Sequence, residues 1–133
     1  AVRKDDINMA NDLKKELESI KETEVKVCQL DELSGEIDVL VNATPVGMFP
    51  KIDNCPVSDE IIKNSKAVFD AIYNPLETQL VQKAKAFGNK AIGGMAMLVW
   101  QAVVAQQKWN DVTFNKDDIN KLCIDCLEEL KNK

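Results

Sequence analysis

Apolar positions recur every three to four residues from 7 to 20, where Ile7, Ala10, Leu13, Leu17 and Ile20 share one face and Lys14, Lys15, Glu16 and Lys21 face water. This predicts an amphipathic helix, with Asp5 or Asp6 as its cap and Ala1-Val2-Arg3 before it as the end of a strand. The period shortens to two in Val25-Lys26-Val27-Cys28, a brief strand. After a polar turn at Gly35, the run from Ile37 to Ala43 is mostly unbroken, the pattern of a parallel strand covered on both faces. Thr44-Pro45 stops it, and Pro45, Gly47, Pro50 and Pro56 make a loop of the next dozen or so residues.

Ser58 is set to cap a short helix through Ile61-Ile62, and 67–73 reads as a second buried strand closing on Tyr73. Thr78 caps the next helix, which carries Leu80, Val81, Ala84 and Phe87 and stops at Gly88. Ala91-Ile92-Gly93 is a short edge strand. From Met95 to Trp109 the helix is apolar on nearly every side as far as Ala105, interrupted by Gln101, and so calls for cover beyond one sheet face. A last amphipathic helix starts between Asn115 and Asp118 and ends in Lys131-Asn132-Lys133, charges that suit the negative end of a helix dipole.

Strands alternating with helices predict an α/β fold: a Rossmann-like, three-layer parallel sheet with helices on both faces. At 133 residues the chain fits one domain, 1–133. Small molecules bind such sheets outside the carboxyl ends of the strands, which directs attention to Tyr73.

Charge narrows the partners. A net charge of −5 argues against wrapping nucleic acid or an anionic lipid surface, since phosphate binding needs clustered Lys and Arg. No run of about 18 apolar residues exists, so no membrane span is predicted. The amino terminus has neither an apolar leader core nor an initiating methionine, and reads as a cut end. Cys28, Cys55, Cys123 and Cys126 could form disulfides; reduced thiols are preferred, because a chain of this size folds by its core. Cys123-x-x-Cys126 has no second such pair and no histidine beside it. Both cysteines fall on the apolar stripe of Ile119, Leu122, Leu127 and Leu130, which favours core packing over a metal or redox site.

Three stretches resemble one family. Val41-Asn42-Ala43-Thr44-Pro45-Val46-Gly47-Met48 is similar to the N-A-T-x-x-G-M segment of the shikimate dehydrogenases. Asp70-x-x-Tyr73-Asn74-Pro75-x-x-Thr78 and Gly94-Met95-Ala96-Met97-Leu98-Val99-x-Gln101-Ala102 resemble their carboxyl-terminal half, in the same order. The resemblance implies the NADP-binding domain of a cytoplasmic enzyme that reduces 3-dehydroshikimate to shikimate in aromatic amino-acid biosynthesis. A dinucleotide fold opens on a Gly-x-Gly-x-x-Gly turn that cradles the pyrophosphate. The glycines here are 35, 47, 88, 93 and 94, none with that spacing. The chain therefore reads as a domain truncated at its amino end, without the first strand, leaving a sheet edge open to a partner or a second copy.

The resemblance also distributes roles. Arg3 matches the arginine of an N-R-T motif that selects NADP over NAD, with Lys4 as helper; a solvated arginine beside Asp5 and Asp6 is the alternative. Asn42, Ala43 and Thr44 would lie against the cofactor, or else satisfy the turn before Pro45. Ala71 and Ala96 depart from the larger apolar residue and the glycine usual there, and with Gly94 they would border the cofactor. Tyr73 and Gln101 would bind shikimate in one shared cleft, or else be a core tyrosine and a loop-bonded glutamine. No residue is assigned to catalysis and none to a metal. The lysine and aspartate that move the proton in the resembled enzymes belong to a separate substrate domain, so this chain alone is expected not to turn over shikimate. A quinate/shikimate dehydrogenase using NAD and a non-catalytic interaction module remain the alternatives.

Overall fold

The computed structural model describes residues 1–131, which form two compact units, one up to Gly35 and one from Glu36 onward. The first holds a 3₁₀ turn, Lys4–Asp6, and helix α1, Ile7–Ile20. Asp6 does not cap α1 with its side chain. Its carboxylate takes Arg3 Nε at 2.9 Å instead. The strand expected over 25–28 does not form as a ladder. Val2 makes a single parallel bridge to Gln29, with Val2 N donating to Cys28 O at 3.0 Å and Leu30 N to Val2 O at 3.1 Å. A strand exists only by pairing, and one bridging residue gives it no more than this. No residue of α1 is buried, and Leu13, Leu17 and Ile20 of its apolar stripe are exposed.

In the second unit β1 (Ile37–Asn42), β2 (Ser65–Asp70) and β3 (Lys90–Ile92) form a parallel sheet in the order β1-β2-β3. Helix α2, Asp59–Lys63, is capped by Ser58, and α3, Gln79–Ala86, by Thr78, as their hydroxyl chemistry predicts. Gly88 leaves α3 at φ +85°, a conformation that glycine adopts without steric cost. Register aligns Leu40, Val68 and Ala91 on one face, where they pack with Ile62, Leu80 and Ala84 of α2 and α3.

The opposite face departs from expectation. Val39 and Val41 are 58% and 55% exposed and Ile92 is 58% exposed, so β1 is covered on one side only. The apolar run that suggests burial on both faces contains the residues, but not the layer that would lie on them. Helices α4 (Met95–Asn110) and α5 (Lys116–Lys131) turn their stripes toward each other: Met95, Val99 and Val103 pack with Ile119, Cys123, Cys126, Leu127 and Leu130. The expected all-round cover of α4 is absent among the described residues, and Trp100, Val104 and Trp109 are exposed. All four cysteines are free, and burial pushes the Cys123 thiol up, helped by Cys126. The side chain of Lys131, with Asn132 and Lys133, lies outside the described residues. No helix among the described residues is long and apolar enough to cross a membrane.

Candidate active site crevice

The two neighbouring strands β1 and β2 end side by side, on Asn42 and Asp70, which are in register. Both side chains are buried. Asn42 Nδ2 donates to Asp70 Oδ1 at 3.0 Å and to Val46 O at 3.3 Å. Its Oδ1 accepts from Thr44 N at 3.0 Å and Thr44 Oγ1 at 2.7 Å, and Thr44 Oγ1 accepts from Val46 N at 3.2 Å. Asn42 thus folds the loop after β1 back on itself, the local bonding for which Asn is suited. Asp70 Oδ1 also accepts from Ile72 N at 3.0 Å, and Oδ2 accepts from Thr78 Oγ1 at 2.6 Å. Thr78 Oγ1 in turn accepts from Val81 N at 3.4 Å at the start of α3.

Main-chain bonds join the same loops: Ala71 N donates to Asn42 O at 3.0 Å and Phe49 N to Asn74 O at 3.1 Å. Gly47 sits at φ +95°, and a β-carbon on it would lie 3.0 Å from Asn54 O. Gly94 allows a tighter approach. A β-carbon there would collide with the Ala71 carbonyl, while Gly94 N donates to Ile72 O at 2.9 Å. Gly94 therefore seats the start of α4 directly on the loop after β2.

These loops enclose a concavity of about 370 Å³, lined on one side by Ala43, Thr44 and Phe49 and on the other by Ala71, Tyr73 and Asn74. Tyr73 does not close the strand as expected. β2 ends at Asp70, where the carboxyl diverts the backbone into its own hydrogen bond with Ile72 N, and Tyr73 lies in the loop with 45% of its surface exposed. Its ring is the one ionisable side chain lining the crevice among the described residues.

Gln101 is exposed and lines a separate concavity of about 570 Å³ with Trp100, Val104 and Trp109. The two residues expected to share one cleft therefore do not share one here. Gln101 stands seven residues after Gly94, roughly 10 Å along a helix axis from the point where α4 meets the loop after β2. Ala96 is exposed on the first turn of α4, and Gly94 is buried. Arg3 and Lys4 belong to the first unit; Arg3 is paired with Asp6, and Lys4 opens the 3₁₀ turn. No group of residues able to hold a metal ion occurs among the described residues.

Asp70 and Thr78 stand in one of the sequence motifs with no part in the site attached to either, Thr78 being expected only as a helix cap, yet they brace the crevice. Their signal is present in the chain: an acid between Phe69 and Ala71 and a helix-capping hydroxyl eight residues on, which satisfy each other when both are buried.

A parallel sheet with a crevice outside the carboxyl ends of adjacent strands defines a Rossmann-like α/β domain. Known proteins narrow the class. The shikimate dehydrogenase (NADP(+)) of Clostridium perfringens is 41% identical over 103 residues, 77% of this chain and 36% of its own length. That of Methanocaldococcus jannaschii is 42% identical over 103 residues, with the same coverage of both chains. A shikimate dehydrogenase solved in complex with NADP+ superposes with a TM-score of 0.76 at 36% identity, over 91% of this chain and 44% of that one. No protein-family model matches the chain. The chain belongs to the shikimate dehydrogenase family, and it spans about a third of the length of the curated relatives it matches.

Proposed function

We propose that this chain is the NADP-binding part of a shikimate dehydrogenase, the complete enzyme reversibly reducing 3-dehydroshikimate to shikimate. One observation carries the reading: the loops bearing Ala43-Thr44 and Ala71-Tyr73 face each other across one crevice at the ends of β1 and β2. Ala43 and Ala71 present only methyl groups there, so a flat ring can approach the backbone, and Tyr73 brings a hydroxyl to its rim, while the Thr44 hydroxyl is bonded within its own loop. That suits the nicotinamide and ribose end of the cofactor. The pyrophosphate end has no glycine turn to receive it in this sequence. When bound, NADPH supplies the hydride.

Around that cofactor Gly94, by seating α4 on the Ala71 carbonyl, and Ala96 beside it border the ring, and Asn42 holds Thr44 in place. Within the first unit taken by itself, Arg3 and Lys4 are the cations that suit a 2'-phosphate. Tyr73, at the rim of the crevice, takes shikimate, whereas Gln101 lines a separate concavity and has no part in that contact here. The proton on the reacting oxygen is moved by a group outside these residues, since no lysine or carboxylate among the described residues lines the crevice. The uncovered edge of β1, with Val39 and Val41 exposed beside it, seats a second copy of the chain. The four free thiols suit the cytoplasm, where cysteines stay reduced.

Titration calorimetry and a shikimate oxidation assay on the purified chain test the reading together. NADP+ should bind, more tightly than NAD+, with no turnover. Turnover by the chain alone would overturn the assignment of the proton step to another segment, and tighter binding of NAD+ would favour the quinate/shikimate type.

A further inference from the structure

We propose that Asp70 is the positioning residue of the crevice, setting where Tyr73 and Thr44 stand relative to each other. The inference rests on the reading of the crevice as the cofactor site. Asp70 is fully buried at the end of the central strand of β1-β2-β3, yet it touches none of the crevice's open volume. Burying a carboxyl group is costly unless its oxygens are bonded, and this one accepts from three directions. Each donor belongs to a different part of the site: Asn42 to the end of β1, from which the loop with Thr44 leaves, Ile72 to the loop that carries Tyr73, and Thr78 to the cap of α3.

A salt bridge would serve stability as well, but no cation among the described residues pairs with Asp70; all three donors are neutral groups with fixed directions. A leucine in its place would keep the site apolar but leave Ile72 N and the Thr78 hydroxyl without their acceptor and take one of the two acceptors from Asn42 Nδ2, so the two loops would be free to separate. A single acceptor group thus measures the width of the crevice mouth. Thr78 is the handle by which α3 holds that group still, since its hydroxyl both donates to Asp70 and accepts from Val81 N.

The chain contains one tyrosine, so 3-fluorotyrosine incorporation gives a single ¹⁹F resonance that reports on Tyr73 alone. Thr78→Val removes the donor to Asp70 at nearly constant volume, Thr78→Ser restores it, and Ile62→Val loosens the same core without touching the network. Asp70→Asn is the direct variant, and the Thr78 pair decides the matter if that chain does not fold. Thr78→Val should shift or broaden the ¹⁹F line and weaken NADP+ binding about tenfold, the order expected when a buried hydrogen bond is lost. Thr78→Ser and Ile62→Val should leave the line in place. An unmoved line in Thr78→Val, or an equal movement in Ile62→Val, would overturn the positioning role. Failure of the unmodified chain to bind NADP+ would instead overturn the cofactor reading, and the ¹⁹F comparison would still decide on Asp70.

Discussion

Asn42 and Asp70 lie 28 positions apart and share a buried hydrogen bond of 3.0 Å between the ends of two adjacent strands. Removing the amide should be felt in both loops at once. Asn42→Ala leaves Thr44 N and its hydroxyl without their shared acceptor and takes one donor from Asp70. Chemical denaturation should show a loss of about 1–3 kcal/mol, the range for orphaning buried polar groups. A loss below the error of the measurement would mean that the network is ornamental.

Gly94 should tolerate no side chain. A methyl there meets the Ala71 carbonyl, which is backbone and cannot rotate away. Gly94→Ala should therefore destabilise by about 1–3 kcal/mol or more, as overpacking does, and an unchanged denaturation midpoint would show that α4 is not seated this closely. Gly35, where a β-carbon meets nothing within 4 Å but φ is +90°, offers a contrast in which only backbone conformation resists.

The uncovered face of the sheet predicts self-association. Sedimentation velocity should show the chain associating, and Val41→Lys, which places a charge on that face beside the β1 edge, should return it to monomer. A wild-type chain that sediments as a monomer would contradict the proposal of a second copy on this edge.

Lys66 and Asp38 pair on the surface at 2.6 Å, across β1 and β2. The hydrogen bond to Lys66, then its charge, lowers the Asp38 carboxyl below its ordinary value, and the same bond raises Lys66. A lowered acid contributes stability above the unfolded carboxylate range and loses it as pH falls through the folded value; a raised lysine contributes below its ordinary value and loses it as pH rises through the folded one. Both groups are exposed, so the contribution to stability is small and screened by salt. In Lys66→Met the Asp38 titration, followed by NMR, should move up toward the ordinary carboxylate value, and no movement would mean that the pair does not persist in solution.

Much of this fold can be read from the chain itself. The caps at Ser58 and Thr78, the stop at Gly88 and the strands ending near Asn42 and Ile92 follow from local chemistry, and local chemistry is what sequence patterns encode. The Cys123-x-x-Cys126 stripe is equally legible, because a helix has one period and the thiols fall on it. Cover is not. Val39, Val41 and the outer face of α4 are apolar enough to be buried, but burial belongs to whatever lies opposite, and pattern alone cannot supply the opposing layer. The apolar run continues through Ile72 and so points to a strand that closes on Tyr73, whereas Asp70 bends the chain three residues earlier by bonding Ile72 N. Motif order joins Gln101 to Tyr73, but it fixes succession along the chain and not distance across it.

All of the functional reading depends on the crevice between the loops after β1 and β2 receiving the nicotinamide cofactor. Amide chemical-shift mapping during an NADP+ titration is the sharpest test of that placement. Shifts concentrated at Ala43, Thr44, Ala71 and Tyr73 are the expected outcome. Saturable binding that leaves those four amides unmoved while others respond would refute it.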